Sequence, residues 1–120
     1  MSEHLIISTA TDLLCVASDE VIFISSDGNY SSLMLTYGES RVVTLQLGQI
    51  ERLIAKQLHT QGQSFIRIGR SLIINRNYIH YINLPRQQLV LCDGRSASHT
   101  LSASREALKQ LKDLIDKEIQ

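Results

Sequence analysis

The chain has 120 residues, 43% of them hydrophobic and 20% charged, with no net formal charge. That is enough for one domain around a modest core, and it excludes wholesale disorder. No apolar run approaches the roughly 20 residues needed to span a bilayer as a helix, and the opening MSEHLIISTATD lacks the basic start and long apolar stretch of a secretory leader.

The first third reads as short strands. HLIIST and DLLCVA are brief apolar segments, and EVIFISS has the β-branched and aromatic bias of a buried strand. SDGNYS, Ser26 to Ser31, gathers turn formers before the strand SSLMLTY. YGES marks a second reversal ahead of a strand RVVTLQL, so an antiparallel meander is expected. Leu47, Ile50, Leu53, Ile54 and Leu58 then recur at three- and four-residue steps, the stripe of an amphipathic helix closed by the loop HTQGQS. Strands resume as FIRIG, SLIIN and YIHYINL, with Pro85 in the following turn. QQLVLCD and SASHTLSA form a hairpin about Asp93–Arg95, where Asp-Gly is a two-residue turn signal. Ser104 can cap a last helix, about residues 104–118, carrying Leu108, Leu111, Leu114, Ile115 and Ile119 on one side. The fold class is mainly β with minor α: antiparallel sheets, one internal helix and one C-terminal helix in a single domain spanning 1–120.

Catalytic chemistry finds little to stand on. His4, His59, His80 and His99 are far apart in sequence, with no carboxylate or second histidine at ligand spacing. There is no Gly-x-Ser-x-Gly turn and no phosphate-loop spacing. Cys15 and Cys92 have no metal-ligand neighbours and read as reduced thiols, the alternative being a disulfide between them. The expectation is a non-enzyme without metal, cofactor or small-molecule ligand.

Neutrality hides an asymmetry. From Arg52 to Cys92 there is no Asp or Glu, while Arg52, Lys56, Arg67, Arg70, Arg76 and Arg86 give that window a charge of +6. Such a bias points to an anionic partner, unless the cations scatter over the surface and only maintain solubility. Polar turn residues recur at three places: SDGNYS, with Asn29 and Tyr30; RIGRS, with Arg67 and Arg70 and then Asn75–Asn77; and SASRE, with Arg105. Arginine can donate twice to guanine, and asparagine can pair with adenine. Arginine and serine also hold phosphates.

Taken together, VIFISSDGNYSSLML, LGQIERLI, FIRIGRSLIINRNYIHYI and LVLCDG…LSASREALKQL resemble the LytTR-type DNA-binding domain of bacterial transcriptional regulators. The likeness runs from about Leu14 to Leu111, and its most specific block is Phe65 to Ile82. The resemblance implies an elongated, mostly-β fold whose loops, rather than a recognition helix, enter successive major grooves. It assigns base reading to Tyr30 with Asn29 beside it, to Arg70 and to Arg105. Supporting backbone contacts fall to Arg67, Ser71, Arg76 and Asn77, with Lys109 in addition. Double-stranded DNA, in repeated or paired sites, is the implied partner, and the cytoplasm the implied location. A receiver or membrane segment often precedes this domain in the family, so a stand-alone regulator and an excised C-terminal domain are both open.

Local alternatives stand beside these assignments. Tyr30 could cover a strand end, and Arg67 could be a solvated strand position. Asn75 suits a structural turn bond. Arg105 opens a helix, where the dipole disfavours a cation, and local rules tend to be broken at functional sites. A different class of function is a protein-interaction or dimerisation module that keeps the fold without strong DNA binding, its homodimer formed through the apolar stripe of the C-terminal helix.

Overall fold

Period-two burial sets the first hairpin. In β1 (His4–Ser8), Leu5 and Ile7 point inward, and β1 pairs antiparallel with β2 (Leu13–Ala17) in a two-stranded sheet. The computed structural model describes residues 3–95 and 97–119. The chain divides into two compact units, one running to Asn77 and one from Tyr78 onward.

The first unit is built on a five-stranded antiparallel sheet in the order β5-β4-β3-β7-β6. Its strands are β3 (Val21–Asp27), β4 (Tyr30–Leu35), β5 (Ser40–Val43), β6 (Phe65–Ile68) and β7 (Leu72–Asn75). Central β3 pairs with a strand on each edge, and its side chains are buried without alternation from Val21 to Ile24, so both sheet faces are covered there, which fits its unbroken apolar run. Helix α1 (Leu47–Gln57) follows β5. Leu47, Ile50, Ile54 and the capping Leu58 close over one sheet face, in a cluster with Ile24, Leu33, Leu35, Val43 and Ile73. Leu5, Ile7 and Val16 of the hairpin join that cluster.

Side chains tie α1 to the hairpin. The Gln57 amide takes the place of a neighbouring strand on β1: Ile6 N–H donates to its Oε1 at 2.7 Å, and its Nε2 donates to Ile6 O at 2.9 Å. Glu3 closes the loop after α1. Its carboxylate accepts from three successive backbone amides, His59 at 3.0 Å, Thr60 at 3.2 Å and Gln61 at 2.7 Å. These bonds, that from Gln61 foremost, hold the Glu3 carboxyl below the ordinary glutamate value.

The second unit has a three-stranded antiparallel sheet, β10-β9-β8, of β8 (Ile79–Asn83), β9 (Gln88–Cys92) and β10 (Ser98–Ser102). Helix α2 (Arg105–Glu118) follows. Ser104 caps it as expected, accepting from Ala107 N–H at 3.1 Å. Leu89, Leu91, Leu108 and Leu111 are buried and Ile115 is half-buried, whereas Leu114 and the C-capping Ile119 remain exposed, so the helix stripe is fully covered only in its first half.

Three expectations need adjustment. The strand RVVTLQL ends at Val43, because Leu45 and Leu47 turn toward the helix side of the core. SDGNYS is mostly strand: only Gly28 and Asn29 lie between the paired Asp27 and Tyr30. The Asp-Gly connection is longer than two residues, since Cys92 pairs with Ser98. Asp93 organises that loop by accepting from Arg95 N–H at 2.9 Å.

Candidate nucleic-acid interface

Two tight turns stand at the same end of the five-stranded sheet. Gly28, at φ +66°, starts the two-residue β3–β4 turn, and Asn29 completes it. Positive φ at the first central residue and not at the second is the II′ pattern, whose twist matches the flanking strands. Gly69, at φ +63°, starts the β6–β7 turn, which continues through Arg70 and Ser71 to the pair Ile68–Leu72. Since β3 and β7 are neighbours, the turns are adjacent, and Ser26 N–H donates to Ser71 O at 2.9 Å between them. Their centres are two strand spacings apart, about 10 Å.

This end is braced from below. Gln46, at the start of α1, donates to Asn29 Oδ1 at 3.4 Å, and Ser31 Oγ donates to Leu45 O at 2.7 Å. Arg67 sits on the α1 face of β6, and its guanidinium makes three bonds. Nε donates to Gly69 O at 3.0 Å, Nη2 to Arg70 O at 3.0 Å and Nη1 to Glu51 Oε1 at 2.9 Å. Arg67 therefore clamps the turn that carries Arg70. Glu51 lies one residue outside the acid-free window, so one of the window's six cations is ion-paired with a helix carboxylate.

Arg70 differs from Arg67. Its side chain is exposed and has no hydrogen-bond or ion-pair partner among the described residues. Asn29, Tyr30 and Ser71 are exposed beside it at the same sheet end. Arg76 and Asn77 are not brought there. They follow the far end of β7, about 13 Å from its start at a strand's rise per residue, and Asn77 Nδ2 donates to Ser64 Oγ at 3.3 Å. Asn75 makes the structural bonds expected of it. It is buried, donates to Val21 O at 3.0 Å and accepts from Asn77 N–H at 3.1 Å.

In the second unit, Arg105 opens α2 with its side chain exposed and without a partner among the described residues. Lys109 is exposed but paired with Asp113 at 3.3 Å, one helical turn on. Cys15 and Cys92 are both free thiols. Among the described residues, no three His, Cys, Asp or Glu side chains gather as a metal site. Among the described residues, no helix is long and apolar enough to cross a membrane.

Sequence reasoning missed the bracing of this end. Glu51–Arg67, Gln46–Asn29 and Ser26–Ser71 join residues 16, 17 and 45 positions apart. None of these pairs leaves a periodic or local signal.

Comparison with known proteins adds a family. Residues 12–116 match the model of the LytTr DNA-binding domain. Among solved structures, the chain is similar to a LytTr DNA-binding domain from Bacillus cereus, with a TM-score of 0.64 and 18% identity over 96% of this chain and 98% of that one. No curated protein matches.

Proposed function

We propose that this chain, which belongs to the LytTr DNA-binding domain family, binds duplex DNA sequence-specifically as part of a transcriptional regulator and reads bases with β-turns rather than a helix. The observation that carries the reading is the pair of adjacent, braced turns at one sheet end, with the Arg70 side chain exposed and without a partner among the described residues. A guanidinium held out by a rigid turn suits the O6/N7 edge of guanine. Asn29 and Tyr30 read beside it, and Ser71 holds phosphate.

Spacing refines the reading. Turns about 10 Å apart cover about three base pairs at 3.4 Å each, far short of the roughly 34 Å between successive major grooves. Asn29, Tyr30 and Arg70 thus address one short stretch of duplex, and Arg105, in the second unit, makes a base contact of its own. Arg67 acts as a positioning residue for Arg70. Arg76, Asn77 and Lys109 contact flanking phosphates rather than bases. The exposed Leu114 of α2 and Ile119 at its C-cap favour a homodimer on paired sites, and truncation after Leu111 would then abolish self-association.

Selection of bound sequences from a randomised duplex pool tests the function. The expected result is an enriched motif whose binding falls with salt at a log–log slope near about −4, as for four or five phosphate contacts. No enrichment together with a flat salt response would overturn it.

A further inference from the structure

The sheet face away from α1 carries a concavity of 250 Å³ at the same end as the two turns, lined by Ser25, Asp27, Tyr30, Ser31, Ser32 and Val42. Register explains how it forms. Asp27 is opposite Tyr30, and Ser32 lies between Ser25 on β3 and Val42 on β5. Residues two apart on a strand share a face, so Tyr30 and Ser32 line it together. Short serine side chains leave the floor low, while Tyr30 and Val42 stand at 54% and 59% exposure.

The lining contains no cation, and its one charge is a carboxylate. Asp27 is exposed with no partner among the described residues, so phosphate would be repelled there. What suits the surface is a ligand edge offering a proton donor and a methyl group. The major-groove edges of pyrimidines offer these: cytosine presents its N4 amino donor, and thymine its C5 methyl. Depth agrees. Ser32 and its partner Val42 lie about 7 Å behind Tyr30 at the strand rise, within the roughly 8.5 Å depth of the major groove.

We infer that this concavity is a pyrimidine-reading site in which Val42 packs on a thymine methyl and Asp27 accepts from a cytosine amino group. It rests on the DNA-binding reading above and adds residues and a base class to it. Carboxylate placement makes it a specificity device: it adds discrimination and opposes non-specific attraction to the backbone.

The test uses the motif found by selection. Each thymine is replaced in turn by deoxyuridine, which removes only the methyl group. The wild-type chain is expected to lose about fourfold in affinity at one thymine, the worth of one methyl taken from water. Val42→Ala should be indifferent to that same replacement while binding the thymine duplex about fourfold more weakly. Asp27→Asn should relax selection at a cytosine position. If wild type and Val42→Ala respond alike to every deoxyuridine duplex, and Asp27→Asn selects the same motif, the inference is overturned while the DNA-binding reading survives. Failure to select any motif overturns both.

Discussion

Replacing Arg67 separates a positioning role from a phosphate contact. Its guanidinium donates to Gly69 O and Arg70 O at 3.0 Å each and to Glu51 at 2.9 Å, with the Arg67 side chain 30% and Glu51 51% exposed. A hydrogen bond from a charged group contributes about 1.5–3 kcal/mol when sheltered, and an exposed ion pair about 0.2–1 kcal/mol. Discounted for partial exposure, the two carbonyl bonds and the pair together give Arg67→Ala a cost of about 2 kcal/mol. Arg67→Lys keeps the charge but loses the planar fork that spans two successive carbonyls, so it should recover less than half of that. Urea unfolding measures the loss as a lower midpoint at unchanged m. Amide exchange at Arg70 and Ser71 should accelerate in both variants. On the selected duplex both should bind more weakly with an unaltered salt slope, because a loose turn misaims Arg70 without removing a phosphate contact. Wild-type stability combined with a slope reduced by about one would refute this, because that pair of results marks a direct phosphate contact.

Arg70→Ala should leave stability within about 0.5 kcal/mol, as for a partner-free surface residue, yet cost about 1–3 kcal/mol on the selected site and relax one base position. An equal loss on every sequence would demote Arg70 to a phosphate ligand. Asn75→Ala removes a buried donor from Val21 O and the acceptor for Asn77 N–H; denaturation should show about 1–3 kcal/mol lost. Glu3 should shape the acid limb of stability. Its carboxyl pKa is lowered in the folded state, chiefly by the Gln61 amide, so its contribution is present above the ordinary glutamate value and disappears as pH falls through the lower folded one. A thermal melt series from about pH 6 to pH 3 should therefore fall less steeply for Glu3→Gln than for wild type.

How much of this was legible in the sequence depends on the range of the interaction. The α1 stripe, the Ser104 cap and the turn glycines Gly28 and Gly69 are local signals, fixed by helical period, capping chemistry and positive φ, and each appears where its pattern places it. Asn75 was also legible, since asparagine before a turn bonds its own backbone two residues on. What was hidden depends on which strands become neighbours. The sheet order puts β3 between β4 and β7, and only that order brings the Gly28 and Gly69 turns side by side. The acid-free window, Arg52 to Cys92, was informative yet blurred for the same reason. Two of its arginines, three residues apart, have opposite surroundings: strand alternation turns Arg67 toward α1 and Glu51, while Arg70 stands in a turn that has no inward face. A count of charges treats them alike. Their environments differ because a strand residue has a prescribed side and a turn residue does not, and this difference is why an arginine meant to reach outward belongs at the turn, with a second arginine behind it holding the carbonyls in place.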